Sequence, residues 1–294
     1  MKLDRPALGR YVHESFAKER EELGETGVNR LLDAGRAWNL APTLAAGGSA
    51  VFPHAHMETC GHQIAAVVHA CLDSGADRVL VIGVLHALTD DLEDARVRVA
   101  NGADVTKEKF WEIQGPGLDG RDQWRNEFSL SNFLFLWQEE TKRRGITGPE
   151  LVIRYPYLAG GQPDILPGIE ELQEIVRDAV VVTTADPFHH GIGYGDPPER
   201  ALAPEAGGLD LARQRIEEGL ALLKTGDYWG YNQHCVEAKS DARDAGQVTR
   251  YLLGALEGRI LDLTSHNTTD MYSQPDPTWV ATALIELQSV EAAP

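Results

Sequence analysis

The stretch that decides the fold runs from residue 50 to residue 86 and reads AVFPHAHMETCGHQIAAVVHACLDSGADRVLVIGVLH. It opens with a short apolar strand that ends at His54. Residues 62–75 have the apolar spacing of a helix, which Gly75 ends. Residues 78–86 are continuously apolar, as in strands that a sheet buries on both faces. Strand, helix and strand at this spacing predict a βαβ unit, and therefore a parallel pair of strands.

The rest of the chain repeats this alternation. Further strands are predicted at residues 151–158, 179–187, 258–267 and 279–287, and further helices at 7–36, 124–144, 165–178, 209–224 and 244–257. The predicted fold class is α/β, with a central mixed, largely parallel sheet flanked by helices. Because residues 39–50 are rich in Ala, Gly and Pro, we expect an N-terminal helical extension at 1–47 and an α/β domain at 48–294. Residues 187–204 form a Gly/Pro-rich loop of a length usual for functional segments.

Charge and composition exclude several classes of partner. The 294 residues carry a formal net charge of -18, which argues against binding to nucleic acid or to an anionic membrane. There is no apolar run long enough for a transmembrane helix, and the charged start MKLDRPALGR lacks the apolar core of a signal peptide. We therefore expect a cytoplasmic protein. Three cysteines do not make a disulfide framework, and the sequence leaves homo-oligomerisation open.

Histidines follow three of the predicted strands. His54 ends the first strand, His86 ends the strand at 78–85, and the strand at 179–186 leads into His189. If these strands are parallel neighbours, the three side chains meet at one edge of the sheet, where α/β proteins bind ligands. The sequence therefore predicts a functional site at this edge.

Several motifs, in order along the chain, resemble those of the Memo family, which shares its fold with the class III extradiol dioxygenases. They are PHAHMETCGHQIAAVVHAC and RVLVIGVLHAL (53–88), similar to PHAGYxYxG and a strand ending GPSHH; NEFSLSNFLFLW (126–137), similar to EHSIExHLPF; LVIRYPYLAG (151–160), similar to the family's next strand; TTADPFHHG (183–191), similar to SSDxxHxG; and DAGQVTRYLLGAL (244–256), similar to CGxxPIxxLLxAL. The resemblance covers roughly residues 48–288 and implies a Memo-like, extradiol-dioxygenase-type fold with one metal-containing pocket.

The resemblance also implies roles for individual residues. His54 and His86 match the two metal-binding histidines, and His189 matches the histidine that the extradiol enzymes use as acid or base. Glu127 matches the first Glu of EHSIE, and we expect it to contact the substrate. The third ligand is Cys in Memo proteins and Glu in the extradiol enzymes. Counting back from the paired leucines of the last motif places Asp244 at that position.

Other residues near these positions stay open as candidates. Asp241, Glu237 and Cys235 lie close enough to Asp244 to compete as the third ligand. His56 alternates with His54 in an extended segment and is a candidate substrate contact. His190, beside His189, is a candidate for either a substrate contact or a surface residue.

Two histidines and one carboxylate are typical of non-haem Fe(II) oxygenases. We therefore expect a dioxygenase-like oxidoreductase that acts on a small organic substrate chelating the metal, with O₂ as the second substrate. His189 would move a proton during the reaction. Fe(II) is the expected cofactor, and a cysteine ligand would favour copper or zinc instead.

Two other functions stay open. The same ligands could activate water in a metal-dependent hydrolase or lyase. Alternatively, the chain is a non-catalytic, Memo-like metal-binding or redox protein. The nature of the third ligand separates these hypotheses, since a carboxylate favours an enzyme and a cysteine favours the non-catalytic protein.

Overall fold

The computed structural model describes residues 4–290, so the outermost residues of both predicted domains lie outside it. Its helices are α1 (Arg5–Gly35), α2 (Ala41–Ala45), α3 (Met57–Asp73), α4 (Asp90–Ala100), α5 (Ser131–Arg144), α6 (Ile169–Ile175), α7 (Gly208–Thr225), α8 (Tyr228–Glu237), α9 (Arg243–Leu253) and α10 (Thr269–Tyr272). Its strands are β1 (Ser49–Phe52), β2 (Arg78–Ile82), β3 (Glu112–Gln114), β4 (Glu150–Tyr157), β5 (Ala179–Thr184), β6 (Phe188–Gly191), β7 (Leu256–Asn267) and β8 (Thr278–Ser289).

One mixed sheet organises the molecule. Its strand order is β3-β4-β2-β5-β1-β8-β6, and β7 pairs with β8. The central strands β4, β2, β5 and β1 are parallel to one another. The others join antiparallel, with β8 pairing to β1, β6 and β7. The α/β class and the mixed sheet flanked by helices are thus confirmed, but only the central strands are parallel.

The predicted βαβ unit of β1, α3 and β2 is present, with a third strand inserted. β1 and β2 do not pair directly, because β5 lies between them and is parallel to both. β5 has the sequence AVVVTT and is buried beyond its first residue, as expected for a central strand covered on both faces. This order puts the carboxyl ends of β1, β5 and β2 side by side.

Helix α1 is packed into the main core. Its residues Val28, Leu31 and Leu32 belong to the same buried cluster as residues of α3, β1 and β2. The helices α1 and α3 approach closely at Gly35, where an added Cβ would lie 2.7 Å from the Cβ of Ala65. The segment predicted as an N-terminal extension therefore shares its core with the α/β part.

Some helices and strands begin or end at residues other than those predicted, for local structural reasons. The helix predicted at 124–144 begins only at Ser131, because the backbone before it turns so that Glu127 reaches His86. The loop predicted at 187–204 contains β6, which pairs with β8. Over residues 4–290, no helix is both long and apolar enough to cross a membrane.

The packing of α1 predicts a stability effect. Leu32 is fully buried, so Leu32→Ala should lower the free energy of unfolding by about 2–5 kcal/mol. Leu202→Ala removes the same atoms from a residue that is 38% exposed and should change it far less. Urea unfolding of both variants measures the difference, and equal effects would mean that α1 is not part of the core.

Candidate metal centre

The carboxyl ends of three neighbouring strands converge on one point. His54 follows β1 by two residues, Asp186 follows β5 by two, and His86 follows β2 by four. The imidazole centroids of His54 and His86 are 5.2 Å apart. The Asp186 carboxylate accepts a hydrogen bond from the His54 backbone N–H at 3.1 Å and so ties β5 to β1. The structure thus brings His54 and His86, two of the three histidines predicted to meet, together at this edge of the sheet.

Asp241 completes the group from the loop between α8 and α9. Its Oδ1 accepts a hydrogen bond from the Asp186 backbone N–H at 2.8 Å, which fixes the carboxylate against the end of β5. Its Oδ2 lies 3.1 Å from His54 Nε2 and 3.8 Å from His86 Nε2. His54, His86 and Asp241 therefore each offer one ligand atom, and these three atoms lie within 4.8 Å of one another.

The hydrogen bonds behind the two imidazoles fix their tautomers. The hydroxyl of Thr184 donates to the carbonyl of Phe52, so its oxygen accepts a hydrogen bond from His54 Nδ1 at 3.0 Å. Glu127 Oε1 accepts from His86 Nδ1 at 2.8 Å. With its proton on Nδ1, each neutral ring presents the lone pair of Nε2 to Asp241. A carboxylate behind a metal-binding histidine is a frequent arrangement in metal sites.

These residues fit a metal ion. Asp241 Oδ2 is buried and has no hydrogen-bond partner among the described residues, although His54 Nε2 lies 3.1 Å from it. Donor atoms about 2.1 Å from one metal and at right angles to each other lie about 3 Å apart. A buried anionic oxygen beside two imidazole lone pairs is otherwise costly, and a cation removes that cost.

A second group of donors shares Asp241. It consists of Asp186, His189 and Asp241, again with ligand atoms within 4.8 Å of one another. His189 lies on β6 and its Nδ1 is buried without a hydrogen-bond partner in the part of the chain that the structure describes. The site thus offers either one metal position with a neighbouring free histidine, or two positions bridged by one carboxylate.

The charges of the site are strongly coupled. Burial lowers the pKa of His86, but the carboxylates of Glu127 and Asp241 outweigh it and raise the pKa to about 10. Burial likewise opposes the charged form of His54, while Asp186 and Asp241 raise its pKa above the ordinary value. Burial would raise the pKa of Asp241, but the neighbouring imidazoles, His54 first, hold it far below its usual range. Without a metal, protons on the imidazoles therefore balance the carboxylates.

Burial is the main influence on the pKa values of Asp186 and His189, and it favours the uncharged form of each side chain. Burial raises the pKa of Asp186 to about 6, although His54 acts against this. Burial lowers the pKa of His189 to about 4, and Asp241 opposes this only in part. The neutral form of His189 therefore predominates near pH 7.

Two cavities meet at this group. The inner cavity has a volume of about 90 Å³ and is walled mostly by apolar and aromatic side chains, including Phe16, Phe128 and Tyr272. The outer cavity is open and has a volume of about 480 Å³. His86 and His189 line both cavities, so a molecule in either one reaches the donor atoms.

The structure corrects the predicted third ligand. Asp244 belongs to neither donor group, because its carboxylate accepts a hydrogen bond from the Ala159 backbone N–H at 2.8 Å. Asp241, three residues earlier, faces the histidines instead, so the ungapped count from the leucines of α9 is off by three residues. Glu237 is exposed and Cys235 is buried outside both donor groups, which leaves neither of them as the third ligand.

Two predicted substrate contacts also need correction. The Glu127 carboxylate lies behind the His86 ring and is not free to bind a substrate. It accepts hydrogen bonds from the backbone N–H groups of His86, Phe128 and Ser129 and from the His86 ring. His190 points to the opposite side of β6 from His189, as alternation along a strand requires. Its ring contacts Asp196 at 2.9 Å and accepts from the Leu202 backbone N–H at 3.0 Å.

His56 does line the inner cavity, as a substrate contact would require. Its Nε2 hydrogen-bonds with the hydroxyl of Ser15 on α1, and its ring stacks on His266 at 4.6 Å. Burial lowers the pKa of His56, so its uncharged form is favoured. A neutral ring with these partners serves as a wall of the cavity.

The chain matches no protein-family model and no curated protein sequence.

The two aspartates give a matched test of the metal centre. Asp241→Asn removes the anionic oxygen and should weaken Fe(II) binding by more than the roughly 10–100-fold that an outer partner of a ligand costs. Asp244→Asn keeps an oxygen for the Ala159 N–H and should bind Fe(II) as the wild type does. Anaerobic Fe(II) titration measures both, and the reverse pattern would restore Asp244 as the ligand.

Proposed function

We propose that the protein is a non-haem Fe(II)-dependent oxygenase with a Memo-like, extradiol-dioxygenase-type fold. The observation that carries this proposal is the donor set of two imidazole Nε2 atoms and one unpaired carboxylate oxygen at the carboxyl edge of the parallel strands. Two histidines and one carboxylate on one side of a metal leave open positions and are typical of Fe(II) enzymes that use O₂. The substrate would be a small organic molecule that chelates the metal.

His54, His86 and Asp241 would hold the ion. When bound, Fe(II) supplies coordination positions and the electrons for reaction with O₂. Two histidines and one carboxylate are the ligand set of non-haem Fe(II) enzymes, and all three cysteines of the chain, whose thiolates would favour copper or zinc, are buried outside the donor groups. Glu127 and Thr184 act behind the ligands, because they fix the orientation of each imidazole ring.

His189 is the residue best placed to move a proton. Its Nδ1 has no hydrogen-bond partner among residues 4–290, and the ring lines both cavities beside the donor atoms. A ring nitrogen without a protein partner can take a proton from a substrate hydroxyl as that group binds the metal. Tyr194, whose ring centroid lies 4.9 Å from that of His189, holds the ring from one side.

The second donor group favours a different function, that of a hydrolase with two metal ions. Asp241 would then bridge one ion held by His54 and His86 and another held by Asp186 and His189. Two bridged ions are typical of hydrolytic enzymes, in which they activate water. The number of ions bound separates the two functions.

Metal stoichiometry and O₂ reactivity test the proposal. Protein handled without air should bind one Fe(II), and nitric oxide should then give the paramagnetic signal of an iron–nitrosyl complex, since open positions remain. Oxygen consumption should follow when chelating substrates such as catechols or 2-hydroxy acids are added. Two tightly bound ions, or one ion that does not react with nitric oxide, would contradict the oxygenase and favour the hydrolase or the non-catalytic protein.

His189 has a separate test. His189→Gln should keep the metal but lower turnover by about 10²–10⁴-fold, because a proton transfer is lost. His62→Gln is the control, since His62 pairs with Asp262 at 2.9 Å and lines neither cavity. Rates of O₂ consumption at equal iron loading measure the effect. An unchanged rate in His189→Gln would make His189 only a wall of the cavity, and loss of iron would make it a ligand.

A further inference from the structure

The outer cavity is lined by an excess of cationic side chains in a strongly acidic protein. Arg5, Arg96, Lys239 and Arg243 line it, whereas the chain as a whole carries a net charge of -18. Two of the four share one carboxylate, because Glu93 lies 3.2 Å from Arg5 and 2.6 Å from Arg96. A cationic cavity in an anionic protein attracts anions locally against the overall field.

Arg243 differs from the other three cations because its side chain has no partner within the described part of the chain. Lys239 pairs with Asp196, so three of the four cations have a carboxylate. Among the residues that the structure describes, none forms an ion pair or hydrogen bond with the Arg243 guanidinium, although Arg243 is only 7% exposed. Its sequence neighbour Asp244 does not pair with it, since that carboxylate binds the Ala159 N–H.

Arg243 lines the open outer cavity, and its guanidinium nitrogens are not fully buried, since none is among the buried side-chain atoms without a hydrogen-bond partner. An anion that enters the cavity can therefore bind the guanidinium without displacing a protein partner. The guanidinium is a planar fork of donors that matches a carboxylate with two parallel hydrogen bonds. Nothing within residues 4–290 supplies that carboxylate, so a bound molecule is the natural source of it.

The position of Arg243 connects it with the metal donors. Arg243 is the first residue of α9, two residues after Asp241, and both line the outer cavity with His86. Arg243, Asp241 and His86 also line a smaller adjoining pocket. A molecule of moderate size in the outer cavity can therefore reach the guanidinium and the metal donors at once.

We propose that Arg243 anchors a carboxylate of the substrate, which makes the substrate class small organic acids that also carry metal-chelating oxygens. The carboxylate anchor rests on Arg243 alone. The metal-chelating oxygens of the substrate rest on the proposed metal-dependent function. Fe(II) with one carboxylate ligand leaves a charge of about +1, and Arg243 adds another positive charge. An organic acid bound to both, through its carboxylate and an ionised chelating oxygen, brings two negative charges and balances these two positive ones.

Inorganic phosphate is the other anion that could bind the Arg243 guanidinium through two hydrogen bonds. Both carboxylate and phosphate accept two parallel hydrogen bonds from arginine. The outer cavity has a mixed lining, with Leu8, Ala87 and Val97 among the cations, and this favours an anion attached to a carbon skeleton. The experiment therefore compares an organic carboxylate with phosphate.

The test uses the full chain freed of metal, with benzoate as the probe. Calorimetric titration should detect benzoate binding to the wild type, and benzamide, the neutral counterpart, should bind more weakly. Arg243→Gln should weaken benzoate binding by about 10–100-fold, because a charged hydrogen-bond donor is lost. Arg243→Lys keeps the charge but not the fork and should bind benzoate with intermediate affinity. Arg213→Gln changes an exposed arginine outside the cavity and should bind as the wild type does.

Four results would overturn the proposal. They are no benzoate binding to the wild type at millimolar concentration, equal binding by wild type and Arg243→Gln, benzamide binding as tightly as benzoate, and phosphate binding more tightly than benzoate. If Arg243→Gln does not fold, as circular dichroism would reveal, Arg243→Lys with undiminished benzoate affinity would overturn the role of the fork.

Failure of the metal-dependent function would look different. The benzoate titration needs no metal, so loss of Fe(II) binding in the wild type would leave the Arg243 result intact. Conversely, one bound Fe(II) together with no benzoate binding would leave the metal centre standing and remove only the carboxylate anchor.

Discussion

The structure depends on one carboxylate oxygen, Oδ2 of Asp241, which lies between two imidazole nitrogens and has no hydrogen bond from any residue of the described range 4–290. Such an oxygen is stable only if positive charge lies beside it. The partners behind the rings of His54 and His86 hold a proton on each Nδ1, so each ring in its neutral form turns the lone pair of Nε2 towards this oxygen. The arrangement therefore has a built-in preference for a cation, which protons on the imidazoles satisfy when no metal is present.

The sheet order explains how such distant residues meet. β5 lies between β1 and β2, so residues about 30 and 130 positions apart in the chain arrive at the same edge. Asp186 at the end of β5 then links the parts of the site to one another. Its carboxylate accepts from the backbone of His54, and its own backbone donates to Asp241. One residue thus aligns the ligand from a strand with the ligand from a loop.

The sequence predicts the framework of the site better than its details. Apolar strands that lead into histidine are local patterns, so the sequence places His54, His86 and His189 at one edge of the sheet provided that the strands are parallel neighbours. Asp241 lies in an irregular loop whose path is set by tertiary contacts, and a count along the following helix selects Asp244, about one helical turn away. The role of Glu127 depends on a turn before α5 that no periodicity indicates.

Helix α1 is predicted from the sequence as an extension, yet it contributes Leu8, Val12 and Phe16 to the wall of the inner cavity and Arg5 to the outer one. The donor atoms of the candidate metal centre come from the sheet edge and the loop before α9, so α1 adds to the cavity walls without supplying a donor atom. Substitutions along one face of α1 can therefore change which molecules fit the cavities without altering a donor atom of the candidate metal centre. For protein engineering, α1 is a module through which ligand selectivity can be varied independently of that centre.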